Sequence, residues 1–206
     1  MYLPIGGKFM NKQYTIIAIM GKAGSGKDTL CKALLKEPAF LNAKPIISCT
    51  TRPIRDNEID GKDYHFITTE QFINQILSGE MLEATVFNDW HYGTSVKNLS
   101  KEHINIGVFN PEGVGILREN KDISLAVIYI EATDKTRMLR QLNREKNPDC
   151  HEIARRFFAD EQDFSDEEIT YLDPDIYVTN NDGADITRIT KAIADAWAQG
   201  QISLKN

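Results

Sequence analysis

Short, almost fully apolar segments alternate with helical patterns along this chain. The apolar segments span residues 15–20, 104–109, 125–130 and 176–178. Apolar runs of this length, each followed by a helical or turn pattern, are typical of strands that are buried on both faces of a parallel sheet. The pattern therefore predicts an α/β protein in which helices cover a parallel sheet.

Helical patterns occupy much of the chain between and after these strands. The predicted helices cover residues 27–36, 111–118, 134–143, 150–164 and 184–198. Pro111 stands at the start of the second of these helices, where its fixed φ is favourable. With strands in one layer and helices on both sides, the predicted fold class is α/β with a three-layer core.

A change of texture between residues 46 and 103 predicts an inserted subdomain. This stretch combines short β-like pieces with turns at Asn57 and at Asp60-Gly61, and it holds one helical segment at residues 69–77. The other predicted elements alternate regularly, so the stretch stands apart from the core.

A second irregular patch, residues 144–149, separates two helices that are rich in arginine. We expect it to belong to a helical lid that spans about residues 137–156. The expected organisation is then a loose tail at residues 1–14 and one domain over residues 15–200, with its core at 15–45 and 104–200.

The first apolar strand runs directly into a glycine-rich segment that fits a phosphate-binding P-loop. The segment reads Gly21, Lys22, Ala23, Gly24, Ser25, Gly26, Lys27, Asp28 and Thr29. In the pattern G-x-x-x-x-G-K, small residues allow successive backbone N–H groups to surround a polyphosphate, and the lysine reaches its outer phosphates. The dipole of the following helix also favours an anion. The sequence thus predicts a P-loop NTPase core, and both irregular stretches are expected to face this loop.

One position of the P-loop departs from the usual pattern. Asp28 stands where Ser or Thr normally places a hydroxyl on the metal ion, and Thr29 follows it. Mg²⁺ keeps several water molecules when it binds together with phosphates, so a carboxylate can help to hold it through water. We therefore expect Mg²⁺ as a cofactor and Asp28 as its candidate ligand.

Composition and charge narrow the range of partners. The 206 residues carry a formal net charge of −6, so no global basic field attracts nucleic acid or an anionic membrane. Three cysteines without a C-x-x-C pair argue against a disulfide framework or a zinc site and favour a reducing cytosol. No segment has the apolar length of a signal peptide or of a membrane span. These features favour a cytoplasmic enzyme that acts on small molecules.

A second group of polar residues lies inside the predicted insertion. Arg52 and Arg55 belong to the segment S-C-T-T-R-P-I-R, and Tyr64 belongs to the segment D-G-K-D-Y-H-F that follows. The planar guanidinium group forms paired hydrogen bonds with phosphate, and a tyrosine hydroxyl adds a further donor. These residues predict a second anion site, separate from the P-loop.

Four sequence blocks resemble those of the guanylate kinase family in order and spacing. They are the P-loop, S-x-T-T-R-P-x-R, D-G-x-D-Y-H-F and the block L-E-A…Y-G-T-S, which contains Glu83, Tyr92 and Thr94. The resemblance covers about residues 16–181. It implies a P-loop core with a nucleotide-binding subdomain and a lid, and a kinase that moves the γ-phosphoryl group of Mg·ATP to GMP or dGMP.

The resemblance also implies roles for individual residues of the insertion. The phosphate of the acceptor nucleotide would be held by Arg52, Arg55, Tyr64 and Tyr92, and guanine would be recognised by Ser48, Glu83 and Thr94. A glutamate carboxylate accepts hydrogen bonds from the N1–H and the amine of guanine, whereas adenine offers no N1–H. A wrong base leaves buried polar groups unpaired, which discriminates by about 10⁴-fold.

The lid resembles the family through its arginines. Arg140, Arg144 and Arg156 correspond to arginines that family members fold over the transferring phosphoryl group. The lid is about one residue longer than the family pattern, so Arg155 is an alternative to Arg156. The charge-rich residues 160–168 that follow are expected to form the solvated face of a helix.

The chain differs from the family at the end of its central strand. It reads Val108-Phe109-Asn110 where the family usually has Asp-x-Asp. Asn110 can accept a hydrogen bond in the acceptor site, but it brings no negative charge. A kinase for another (deoxy)nucleoside monophosphate and a non-catalytic guanylate-kinase-like binding module therefore stay open as alternatives. A monomer or a homodimer is expected.

Overall fold

The computed structural model describes residues 13–55, 58–87, 89–144 and 146–205. Its strands are β1 (Tyr14–Met20), β2 (Lys44–Pro45), β3 (Cys49–Thr50), β4 (His65–Phe66), β5 (Met81–Phe87), β6 (Trp90–Ser95), β7 (Ile104–Val108), β8 (Ile123–Glu131) and β9 (Ile176–Thr179). Its α-helices are α1 (Lys27–Leu34), α2 (Thr69–Leu77), α3 (Pro111–Glu119), α4 (Asp134–Leu142), α5 (Cys150–Asp163), α6 (Asp166–Leu172) and α7 (Ile186–Ala198).

Five strands form a parallel sheet in the order β2-β7-β1-β8-β9. The central strand, β1, has apolar side chains on both faces. Ile16, Ala18 and Met20 belong to one buried cluster, and Ile17 and Ile19 belong to the other. Because every second side chain of a strand points to the same face, this run of apolar residues fits a strand that is covered on both sides.

Helices cover both faces of this sheet. On one face, α3 contributes Val114 and Leu117 to the core, and α6 contributes Leu172. On the other face, α1 contributes Leu30 and α7 contributes Ile193. The predicted α/β fold class with three layers is confirmed. Within the described part of the chain, none of the helices has the length and apolar character needed to cross a membrane.

A smaller sheet lies within the predicted insertion and has the strand order β4-β3-β6-β5. Strand β6 runs antiparallel to both β3 and β5, while β3 and β4 are parallel. Helix α2 begins with a capping box between Thr68 and Gln71, and its Phe72 is fully buried. Three of the residues that were predicted to bind the acceptor, Glu83, Tyr92 and Thr94, lie on strands of this sheet.

Several element ends differ from the predictions. Strand β1 begins at Tyr14, inside the segment that was expected to be a tail, and residues 1–12 lie outside the described residues. Helix α7 begins at Ile186 and not at residue 184, because the Asp185 side chain accepts from two backbone N–H groups and caps it there. The turn predicted at Asn57 also lies outside the described residues, whereas Gly61 forms a turn with φ 73°.

The charge-rich residues 160–168 do not form the face of a single helix. Helix α5 ends at Asp163, and the Ser165 hydroxyl caps α6 by accepting from the Glu168 N–H at 3.3 Å. The prediction of a solvated face is wrong at Asp160, which is only 8 % exposed.

Candidate active site

The P-loop connects the end of β1 to the start of α1 and has the backbone geometry of an anion site. Gly24 and Gly26 adopt φ 80° and 98°, a conformation that disfavours other residues. A Cβ on Gly24 would lie 2.6 Å from the Arg137 carbonyl oxygen, and a Cβ on Gly26 would collide with the side-chain amide nitrogen of Asn180. Helix α1 has no side-chain cap, so its first N–H groups remain for a ligand.

Side chains from three later elements hold the P-loop backbone. Arg140 of α4 donates from Nη1 to the Ser25 carbonyl at 3.4 Å. Asn180, directly after β9, donates from Nδ2 to the same carbonyl at 2.7 Å. Asp160 of α5 accepts from the Ala23 N–H at 2.7 Å. The conformation of the loop therefore depends on α4 and α5, the two helices of the predicted lid, and on the residue that follows β9.

A buried arginine joins the two lid helices behind the P-loop. Arg137 is 0 % exposed and donates to Asp160 at 3.2 Å, to Asp134 at 2.8 Å and to Glu161 at 2.9 Å. Its guanidinium carbon lies 4.7 Å from the centre of the Phe157 ring. This contact set explains the burial of Asp160, because a buried charge requires a paired partner.

Lys27 and Asp28 occupy the first turn of α1, beside the loop. Lys27 lies close enough to Asp160 for its charge to act on that carboxylate. Burial raises the pKa of Asp160, whereas its hydrogen bond with the Ala23 N–H and the charge of Lys27 lower it. Asp28 is exposed. Within the described ranges, no three His, Cys, Asp or Glu side chains converge as ligands for a metal ion. The single carboxylate of Asp28 fits an ion that is held largely by water and phosphate.

The predicted acceptor arginines lie at the ends of the smaller sheet. Arg52 is 8 % exposed and donates from Nη2 to Glu58 at 2.7 Å. Its guanidinium group also lies within 6 Å of two aromatic rings, at 5.7 Å from the centre of Tyr64 and 5.6 Å from that of Phe66. Stacking and ion pairing fix the orientation of this fork.

The phenols of Tyr64 and Tyr92 meet beside these arginines. Their ring centres are 6.0 Å apart in an edge-to-face arrangement. Burial and, to a smaller extent, the negative charge of Asp28 raise the pKa of Tyr64 to about 12. Because Asp28 belongs to the P-loop helix, Tyr64 lies within electrostatic range of that helix.

A cavity of about 270 Å³ separates the smaller sheet from the lid. Its lining includes three arginines, Arg52, Arg55 and Arg156, together with Tyr92 and Glu152. Burial lowers the pKa of Arg55, and the neighbouring charges of Arg156 and Arg52 lower it further. Like charges gathered in this way are expected to bind an anion strongly, since the anion relieves their repulsion.

The residues predicted to recognise guanine also lie together. The hydroxyls of Ser48 and Thr94 are 3.2 Å apart, and Glu83 pairs with Thr94 across strands β5 and β6. Burial raises the pKa of Glu83, its hydrogen bonds with Thr94 oppose the shift, the charge of the nearby Glu112 adds to it, and the resulting pKa is about 7. Glu83 is thus a buried carboxylate beside two hydroxyls, which suits recognition of a base with N–H donors.

Asn110 has a structural role that the sequence analysis did not predict. Its Oδ1 accepts from the Gly113 N–H at 2.8 Å and caps α3, and its Nδ2 donates to the Thr85 hydroxyl at 3.2 Å. Both polar atoms of the amide already have partners within the protein. Its predicted contact with the acceptor nucleotide stays a prediction.

The lid arginines differ in their surroundings. Arg156 lines the cavity, and its Nε donates to Glu152 at 2.7 Å. Arg155 forms two hydrogen bonds with the same carboxylate, at 2.7 and 3.0 Å. These bonds raise the pKa of Arg155, and the charges of Tyr92 and Asp160 contribute in the same direction. Arg144 is exposed, and its charge lowers the pKa of Arg55.

Sequence analysis missed Arg137, Asp160 and Asn180, which support the P-loop. Two signals were available. Arg137 lies three residues before Arg140, so both side chains project from adjacent turns of one helix. Asp160 and Glu161 form an acidic pair that follows the lid arginines, where a buried cation would find partners.

A parallel α/β core with a P-loop, a second arginine-rich anion site and a lid between them defines a P-loop kinase that acts on a small phosphorylated acceptor. The model of the family described as guanylate kinase matches residues 13–196. The chain therefore belongs to the guanylate kinase family, as the sequence blocks predicted.

Curated relatives of similar length support this assignment. The chain is 33 % identical over 175 residues to the guanylate kinase of Wigglesworthia glossinidia brevipalpis, which covers 83 % of this chain and 82 % of the relative. It is 30 % identical over 187 residues to the guanylate kinase of Symbiobacterium thermophilum, with 89 % and 82 % covered.

A solved structure shows the same fold. The crystal structure of guanylate kinase from Anaplasma phagocytophilum matches with a TM-score of 0.63 at 23 % sequence identity. The match covers 93 % of this chain and 89 % of that chain. At this identity the similarity describes the fold alone.

Proposed function

We propose that this protein transfers the γ-phosphoryl group of Mg·ATP to GMP or dGMP, giving ADP and the corresponding diphosphate. The observation that carries the proposal is the cavity between the smaller sheet and the lid, in which Arg52, Arg55 and Arg156 converge with Tyr92. The cavity lining holds three arginines and a phenol against the two carboxylates of Asp149 and Glu152. This excess of donors suits a phosphate monoester, and the P-loop supplies a separate place for the donor.

The reaction requires positioning and charge neutralisation more than acid–base chemistry. A phosphate oxygen of the acceptor attacks the γ-phosphorus, and the bond to the oxygen that bridges the β- and γ-phosphorus atoms breaks, leaving ADP. Arg52 and Arg55 aim the acceptor phosphate, while Lys27 and the P-loop amides hold the donor. Arg140, Arg144 and Arg156 balance the negative charge on the transferring group.

The magnesium ion would be held by donor phosphates and water, with Asp28 as the candidate carboxylate of the protein. When bound, it supplies positive charge that offsets the charge of the β- and γ-phosphates. Asp28 is exposed in the first turn of α1, so it is accessible to a water molecule of such an ion.

Guanine recognition would come from Glu83, Ser48 and Thr94. The Glu83 carboxylate accepts from N1–H and the exocyclic amine, and the two hydroxyls orient the purine. Because Glu83 is only 7 % exposed, a base without these donors leaves a buried charge unpaired. Such a penalty favours guanine over adenine.

A coupled assay of ADP release tests the proposal. With Mg·ATP as donor, GMP and dGMP are expected to be phosphorylated far faster than AMP, UMP or dTMP. Fast turnover of a different acceptor would instead support the alternative of another (deoxy)nucleoside monophosphate kinase. No turnover with any acceptor, together with retained GMP binding, would support a non-catalytic binding module.

Two further expectations concern the setting of the enzyme. We propose a cytoplasmic location, because Cys31, Cys49 and Cys150 are free thiols among the described residues and reduced thiols are typical of the cytosol. We also propose that the active unit is a monomer or a homodimer, since donor and acceptor sites are both built within one chain. Sedimentation with and without substrates measures the oligomeric state.

A further inference from the structure

Asn180 holds one peptide of the P-loop from a different part of the fold. Its backbone N–H donates to the Glu131 carbonyl at 2.8 Å, which fixes the residue at the end of the parallel ladder between β8 and β9. Its side chain is 7 % exposed and donates from Nδ2 to the Ser25 carbonyl at 2.7 Å. The contact joins residues 155 positions apart.

This hydrogen bond is shorter than the 3.4 Å bond from Arg140 to the same carbonyl, and the two together fix which way the peptide between Ser25 and Gly26 faces. A trans peptide is planar, and its C=O and N–H groups point in opposite directions. Because the Ser25 carbonyl is bound to Asn180, the Gly26 N–H points away from Asn180. Gly26 immediately precedes α1, whose start has no side-chain cap, so this N–H belongs to the set that can surround a phosphate.

The close contact also accounts for glycine at position 26. A Cβ there would collide with Nδ2 of Asn180, and the φ of 98° disfavours any other residue. Asn180 and Gly26 therefore fit each other, and the side chain occupies the space that a larger residue would need.

We propose that Asn180 is a positioning residue that orients the Ser25–Gly26 peptide for the donor phosphates and makes no contact with the donor base. The inference rests on the proposed function, since it assumes that a nucleoside triphosphate binds at the P-loop. It gives a specific expectation. Substitution of Asn180 should weaken the binding of any ligand that carries the polyphosphate, whichever base the ligand has.

Three probes test this expectation by calorimetry: ATP, GTP and inorganic tripolyphosphate, each with Mg²⁺. Asn180→Ala is expected to weaken the binding of all three by a similar factor of about ten, which corresponds to about 1.4 kcal/mol. The affinity for GMP measured without donor should stay unchanged. In turnover, the KM for ATP should rise while the KM for GMP does not.

Asn181→Ala is the matched control. The Asn181 Oδ1 accepts from the Thr133 N–H at 2.8 Å, so the neighbouring amide has its own hydrogen bond but does not contact the P-loop. This variant should bind all three probes like the wild type. Asn180→Asp keeps the shape of the side chain but loses the donor, and it should weaken the probes more than Asn180→Ala does, because a carboxylate then faces a carbonyl oxygen.

Several results would overturn the inference. A loss of ATP binding with unchanged tripolyphosphate binding would show that Asn180 contacts the base. Equal losses in the Asn181 variant would show a general disturbance, and failure of both Asn180 variants to fold would assign the residue to stability alone. Failure of the wild-type protein to bind tripolyphosphate would overturn the proposed function as well, whereas unchanged binding by the Asn180 variants would overturn this inference alone.

Discussion

The role proposed for Glu83 makes acceptor binding depend on pH, because a buried carboxylate must be ionised before it can accept both N–H groups of guanine. Burial raises the pKa of Glu83 from 4.5 to about 7. Substitution Glu83→Gln removes the titration but keeps the size of the side chain. We therefore expect the wild-type protein, but not the variant, to show a pH-dependent affinity for the guanine ring.

The size of the effect follows from the pKa. Glu83 is ionised in about one tenth of the free protein at pH 6 and in about nine tenths at pH 8. The affinity for GMP should therefore rise about tenfold between these values. The phosphate of GMP also titrates near pH 6, and the Glu83→Gln variant measures that contribution separately, because its remaining pH dependence comes from the phosphate.

Ionisation of Glu83 should also change the stability of the free protein. As the pH rises, the free energy of unfolding should fall while the affinity for GMP rises. A folded-state pKa above the unfolded value means that the ionised form is disfavoured in the fold. The stabilisation is complete below pH 4.5 and is lost as the pH rises to about 7, at a cost of about 3 kcal/mol. Denaturant unfolding across this range should show the decrease in the wild type and not in Glu83→Gln.

The assay is a titration of GMP by calorimetry at several pH values, together with unfolding in the same buffers. The reasoning would be refuted if the wild type and Glu83→Gln showed the same pH dependence of GMP affinity. It would also be refuted if the free energy of unfolding of the wild type were flat between pH 4.5 and 7, because a buried carboxylate with a raised pKa cannot ionise without cost.

Three other predictions concern the donor side and the lid. Lys27→Met should lower kcat at least about 100-fold while GMP affinity stays within twofold; weak GMP binding by the folded variant would argue against two separable sites. Arg137→Met should lower the free energy of unfolding by about 3–5 kcal/mol, since it removes the ion-pair partner of the buried Asp160. The control Lys135→Met, at an exposed position of the same helix, should change it by less than about 0.5 kcal/mol. Equal losses for the two variants in a denaturant titration would contradict this account. Asp28→Ser should raise the Mg²⁺ concentration that gives half-maximal turnover, and an unchanged metal dependence would exclude Asp28 from the metal site.

The core could be predicted from sequence because its signals are local. The apolar run that becomes β1 and the glycines after it specify a buried strand and a tight loop without reference to the rest of the chain. Where a side-chain cap sets the boundary of a helix, the predicted boundary was less accurate. Ser165 starts a new helix directly after the buried Phe164, within a segment whose other residues are charged or polar.

The supports of the P-loop could not be predicted in the same way. Asp160 lies in an acidic segment and is buried only because Arg137 and the Ala23 N–H meet it from distant parts of the sequence. Asn180 contacts a residue 155 positions away. Such contacts depend on the register of β8 and β9 and on the packing of two helices, which the local signals at Arg137 and Asp160 do not specify. The roles assigned to the site residues remain predictions.

Helix α5 has one end at each of the two proposed substrate sites. Its last turns bear Asp160 and Glu161, which are bonded to Ala23 and Lys22 of the P-loop at 2.7 Å each, and its first turns bear Arg156, which lines the cavity proposed for the acceptor. A helix of 14 residues is about 21 Å long and nearly rigid. Tilting it at one end must shift the other, or else break a hydrogen bond and an ion pair. Donor and acceptor should therefore alter each other's affinity by the same factor, in whichever order they arrive.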